Sequence, residues 1–105
     1  MAFNQSGELA GLNTYTVSVP TAGAYSIGWK NYLPRLSQGG TQSSLVVTIN
    51  QNGSPVFTST AGADGGSFDL ICASGDSITL VTSSSAAGDQ ALNLIKTQVA
   101  FSGGQ

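Results

Sequence analysis

Apolar residues recur at every second position through most of this chain, and turn-forming residues interrupt them at short intervals. A period of two places alternate side chains on opposite faces of an extended strand, so the pattern commits the chain to half-buried β-strands. Tyr15, Val17 and Val19 share one face, against Thr14, Thr16 and Ser18. Tyr25, Ile27 and Trp29 repeat the arrangement, as do Leu45, Val47 and Ile49, then Phe68, Leu70 and Cys72, then Ile78, Leu80 and Thr82. No segment carries apolar residues at i, i+3, i+4 and i+7 over three turns; residues 89–96 are the one stretch that could pass for a short helix.

The breaks between these runs have their own chemistry. Asn52-Gly53 is the strongest hairpin signal, because both residues tolerate the positive φ of a type I′ turn. Ser74-Gly75-Asp76 reads as a second tight turn, and Pro20-Thr21-Ala22-Gly23 ends the run before it. Residues 31–41, 61–66 and 83–90 read as loops. In the last run the apolar parity changes near Leu94, from Leu92 and Leu94 to Ile95, Val99 and Phe101, which suggests a bulge. Residues 1–12 read as an N-terminal arm anchored by Phe3, Leu9 and Leu12, and residues 13–105 as the sandwich. With a short piece of the arm counted, about eight strands result, and the fold class is an all-β antiparallel sandwich of jelly-roll type.

The side chains available restrict what such a sandwich can do. A chain of 105 residues is one domain, long enough for a single core without metal or disulfides. Charged residues make up 8% of it, against about 25% in an ordinary soluble domain. Lys30, Arg35 and Lys96 are the only basic residues, too few for a phosphate-binding stripe or for attraction to anionic lipid, so neither nucleic acid nor membrane is an expected partner. There is no histidine, which removes the usual general base and the imidazole ligands of zinc and copper. Cys72 stands alone in an apolar run and reads as a small buried hydrophobe.

The carboxylates point the same way. Asp64, Asp76 and Asp89 each lie beside glycine, as aspartates in turns do, rather than as the facing pair a glycosidase needs. Their spacing matches no dense calcium loop and leaves a bound calcium open. No catalytic residue, metal ligand or cofactor is expected, and the chain reads as a binding or structural protein rather than an enzyme. Tyr25 and Trp29 share parity with Ile27 and belong to the core, so the ligand-facing candidates are Asn31, Tyr32 and Arg35 around the following loop.

From residue 22 onward the order of motifs resembles the jelly-roll heads of the complement and tumour-necrosis-factor superfamily. The resembling pieces are Ala22-Gly23-Ala24-Tyr25-Ser26-Ile27, the run from Leu45 through Ile49 into Asn52-Gly53, Ser74-Gly75-Asp76 ahead of Ile78 and Leu80, and the closing Val99-Ala100-Phe101-Ser102-Gly103. They cover about three-quarters of the chain and imply an eight-stranded sandwich. The 105 residues are fewer than such heads have, and no collagen or coiled-coil stalk pattern is read among them. Its serine-, threonine- and glycine-rich, charge-poor texture is similar to that of small virion proteins of tailed bacteriophages, among them the capsid decoration, or cement, proteins.

That second resemblance implies a structural virion protein on a capsid surface, made in the host cytoplasm without a signal peptide. Its partners would be the major capsid protein or another virion protein, and further copies of itself as a dimer or trimer. Phe3, Leu9, Leu12 and Phe101 would then form the interface, with the arm lying on a neighbouring subunit. The alternative is a carbohydrate- or receptor-binding jelly-roll head, a fibre tip or lectin, reading its ligand near Tyr32. Either way the alternation places Phe57 and Leu70 in the core. Phe57→Ala and Leu70→Ala should each cost roughly 2–5 kcal/mol of stability in thermal or denaturant melts.

Overall fold

The computed structural model describes residues 3–11, 13–32, 46–59, 65–83 and 96–104, with only the backbone of Tyr32. Eight strands form: β1 (Phe3–Ala10), β2 (Thr14–Ser18), β3 (Gly23–Tyr32), β4 (Val46–Gln51), β5 (Ser54–Thr58), β6 (Gly65–Cys72), β7 (Ser77–Ser83) and β8 (Lys96–Gly103). They make two four-stranded antiparallel sheets, β1-β8-β3-β6 and β2-β7-β4-β5. The pairs β1·β8, β2·β7, β3·β6 and β4·β5 are nested, first with last and inward to the middle. The chain is thus one long hairpin rolled into a sandwich, the jelly roll that the alternation implied.

The centre of that rolled hairpin is the β4–β5 turn. Asn52 and Gly53 have φ of 54° and 85°, as a type I′ turn requires, and this is the hand that matches the twist of the flanking strands. The β5 edge carries Pro55 and a register shift between Ile49 and Asn50 of its partner, both of which interrupt regular edge pairing.

Strand parity sorts the core as expected. Tyr25, Ile27, Trp29, Val47, Ile49, Leu70, Cys72, Ile78 and Leu80 are buried between the sheets, joined by Val17, Val19 and Val99. Phe57 and Phe68 are partly buried and pack against this cluster, their rings 5.0 Å apart, with Trp29 5.6 Å from Phe57. Leu45 lies outside the described residues, as do the parity change near Leu94 and all of residues 89–96 except Lys96, which begins β8. Strand β3 runs two residues into the segment read as a loop, because Asn31 and Tyr32 continue its pairing with Thr97 and Lys96.

The N-terminal segment is where the structure departs from the sequence reading. Phe3–Ala10 is not an arm reaching outward but the edge strand β1, in continuous register with β8 of the same chain. Leu9 is 5% exposed and Phe101 0%, so these expected interface residues fill the chain's own core. Phe3 packs edge-on against Phe101 at 6.2 Å, and Phe101 stacks on Tyr25 at 4.9 Å. The apolar positions Phe3 and Leu9 have the parity of a strand facing inward, and the space they fill would otherwise open the sandwich to water. Leu12 lies outside the described residues.

Glycines make room for the large rings. Gly66, opposite Trp29 across the β3–β6 ladder, leaves a place that a Cβ would share with the indole ring, 2.8 Å away. Gly103 in β8 has φ of 144°, and a Cβ there would strike the Ala24 carbonyl and the Tyr25 backbone, so the two strands meet at a separation that glycine alone permits.

One end of the sandwich is closed by Asp76. Its carboxylate accepts from the Ala73 amide at 2.8 Å, from Gln51 Nε2 at 3.0 Å and from Asn52 Nδ2 at 3.0 Å. Asn52 Oδ1 in turn accepts from the Ser77 amide at 2.9 Å, while the Val19 amide donates to the Asp76 carbonyl and the Gly75 amide to the Val19 carbonyl, each at 2.8 Å. The turn aspartate therefore ties together the β4–β5 turn, the β6–β7 turn and the end of β2. These donors hold the Asp76 carboxyl below the usual aspartate range, the Asn52 bond contributing most.

Two outcomes follow from this arrangement. Deleting residues 3–10, or replacing Leu9 by Ala, should destabilise the isolated protein, the single substitution by about 2–5 kcal/mol; an unchanged denaturation midpoint would return the segment to an arm. A folded-state pKa below the unfolded value means that Asp76 stabilises the fold fully above about pH 4 and loses that effect as pH falls through the depressed value. Asp76→Asn should therefore flatten the acid limb of a stability-against-pH curve while lowering stability at neutral pH.

Candidate binding face

The two outer faces of the sandwich differ in kind. On the sheet β2-β7-β4-β5 the outward positions include Thr14, Thr16, Thr79, Val81, Val46, Thr48, Asn50 and Thr58, and no charged residue is among the described ones. The hydroxyls of Thr16 and Thr79 lie 3.3 Å apart across the ladder. On the sheet β1-β8-β3-β6 the outward positions include Glu8, Lys96, Lys30 and Asp69, all exposed. The described residues contain five charged side chains, these four and Asp76. A chain with little charge thus places almost all of what is described on one face.

Register resolves that face into cross-strand rows. Asn4, Ser102, Ser26 and Asp69 lie side by side; next come Ser6, Ala100, Gly28 and Ser67, and then Glu8, Gln98, Lys30 and Gly65. The middle row has short or absent side chains, and the longer Glu8, Gln98 and Lys30 stand on one side of it. The face carries two shallow grooves. One, of about 640 Å³, is floored by Gly28 and Ala100 and walled by Glu8, Gln98 and Lys30, with Ser6 at its edge. The other, of about 520 Å³, lies between Ser26, Ser102 and Asp69, with Ile71 on its rim. Ile71 is 74% exposed, the most exposed large apolar side chain described.

The groups around these grooves are hydroxyls, an amide, two carboxylates and an ammonium. Such a set reads a polyhydroxylated ligand through hydrogen bonds in which one partner carries charge. It provides no nucleophile beside a base. Among the described residues there is no group of three or more His, Cys, Asp or Glu able to hold a metal ion. The Cys72 thiol is buried, and its pKa is raised by burial and by the nearby Asp76 charge, which keeps it protonated and unreactive. No helix among the described residues is long and apolar enough to cross a membrane.

Of the residues singled out from sequence, Asn31 lies elsewhere. Asn31 is buried, and its Oδ1 accepts a hydrogen bond of 3.0 Å from Thr97 Oγ1 inside the core; it falls on the inward parity of β3 because that strand continues past residue 30. Arg35 and the Tyr32 side chain lie outside the described residues. Sequence reasoning passed over Glu8, Gln98, Lys30 and Asp69. Their parity, opposite to Leu9, Val99, Trp29 and Leu70, was legible, but nothing in the sequence says that four separate strands lie next to one another in this order.

No protein-family model matches the sequence, and no curated protein matches it. Among solved structures, the fold is similar to one described as the structure of a family 35 carbohydrate binding module from an environmental isolate, at 20% identity and a TM-score of 0.53, over 91% of this chain and 68% of that one. This likeness supports the two-sheet β-sandwich architecture.

Proposed function

We propose that the protein is a non-catalytic carbohydrate-binding module whose ligand lies on the outer face of the sheet β1-β8-β3-β6. The observation that carries this reading is the placement of charge. Among the described residues, Glu8 and Lys30 wall one groove on that face and Asp69 lines the other, while the outward positions of the opposite face carry no charge. Sugars are bound through networks of hydrogen bonds to carboxylate, amide and ammonium groups, and the grooves offer those groups in a row at strand spacing. The likeness to a carbohydrate-binding module fits the same reading, as does a chain with no histidine and one buried thiol. The open, shallow form of the grooves suits a ligand that keeps one side in water.

Attachment to a capsid, the first expectation from the sequence, draws no support from the solved structures, and the N-terminal segment meant to reach a neighbouring subunit is held in its own sheet.

The test is a glycan array followed by titration calorimetry with the glycan that binds best. The wild-type protein should bind, and a Glu8→Gln/Lys30→Met double variant should lose roughly tenfold or more in affinity. Each lost charge-assisted hydrogen bond is worth about 1.5–3 kcal/mol. Circular dichroism of the double variant should match the wild type, since both side chains are exposed. A wild-type protein that binds no glycan would overturn the reading; an unaffected double variant would move the site off this face.

A further inference from the structure

Gly28 sits in the middle of β3, a central strand, where glycine weakens a sheet. The structure shows nothing that requires it. Its φ is not positive, and a Cβ built on it meets only the Gly66 carbonyl oxygen, at 3.7 Å, an ordinary van der Waals contact. At every other described glycine the fold supplies a reason: a positive φ, as at Gly53 and Gly75, or a neighbour that a Cβ would strike, as at Gly7 with the Tyr15 ring and Gly66 with the Trp29 ring. The side-chain direction at 28 is outward, into the 640 Å³ groove between Glu8, Gln98 and Lys30.

We infer that Gly28 is the specificity-determining residue of the proposed carbohydrate site, its missing side chain giving a sugar ring access to the floor of the groove beside Glu8, Gln98 and Lys30. The inference rests on the reading of this face given under Proposed function. It also names the form of the ligand. The groove runs from Gly28 through Ala100 to Ser6, and the same cross-strand row continues to Ser67 of β6. At about 4.8 Å between strands, three intervals give roughly 14 Å, room for several linked pyranose rings rather than one. Both ends of this path reach an edge strand, β1 or β6, so nothing described there stops a chain from continuing. The ligand is an internal segment of a linear polysaccharide lying across the strands, its hydroxyls meeting the charged wall on one side.

The experiment compares the wild type with Gly28→Val and Gly28→Ser, and with Thr79→Ile as a control that adds bulk on the opposite face. Thermal melts come first. Gly28→Val should melt at or above the wild-type temperature, because valine suits a strand better than glycine and the space is open. A lower midpoint would show that the fold itself needs the glycine and would overturn the inference. Affinity for cello-, xylo- and manno-oligosaccharides of increasing length, and for the corresponding soluble polymers, is then measured by calorimetry and affinity electrophoresis. Wild-type affinity should rise from disaccharide to longer oligosaccharides and persist for the polymer. Gly28→Val should weaken binding roughly tenfold or more, Gly28→Ser less, and Thr79→Ile not at all. Undiminished binding by Gly28→Val overturns the inference while leaving the carbohydrate reading intact. Failure of the wild-type protein to bind any sugar on the array or in this series removes the reading and the inference together.

Discussion

The last strand holds this fold together. β8 lies between β1 and β3, in the middle of its sheet, and pairs with both along its whole length. It delivers Val99 and Phe101 to the core, and Phe101 is the ring on which Phe3 and Tyr25 both pack. Until β8 arrives, β1 has no partner in its sheet, β3 has only β6, and the aromatic layer is open. Nested pairing of first strand with last makes most of the stabilising contacts non-local. Loop-closure entropy must be overcome before such contacts form, which favours slow, cooperative folding.

The local devices support that closure and do not replace it. The Asn52-Gly53 turn sets the centre of the rolled hairpin with the correct hand. The Asp76 carboxylate then binds this turn to the β6–β7 turn, so the two sheets are joined at one end by hydrogen bonds as well as by packing. Glycines at 66 and 103 let Trp29 and the Tyr25 region lie close to neighbouring backbone. Each is a short-range choice that agrees with the long-range pairing, as expected of a sequence with one native basin.

The same ladders that build the core build the candidate face. Every inward residue of β1, β8, β3 and β6 fixes the outward residue beside it, so packing Leu9, Val99 and Trp29 inward necessarily presents Glu8, Gln98 and Lys30 to solvent near one another. A one-residue slip in any of these strands would bury a charge and dismantle the grooves at once. Core register and site geometry are therefore one constraint, which gives the face a rigid scaffold.

Period-two alternation, Asn52-Gly53 and the aspartate beside Gly75 determined by themselves that the chain is an antiparallel β-sandwich with Ile27, Val47, Ile49, Ile78 and Leu80 inside, because strand parity and turn chemistry are local properties of the backbone. The residue content likewise showed a chain with no histidine and a single cysteine. Only the tertiary structure decided that residues 3–10 belong to the sandwich, that Asn31 faces inward against Thr97, and that Glu8, Gln98 and Lys30 share a row. Those facts depend on which strands lie side by side. Strand order is set by the packing of the whole core, and the sequence distance between Glu8 and Gln98 carries no trace of it.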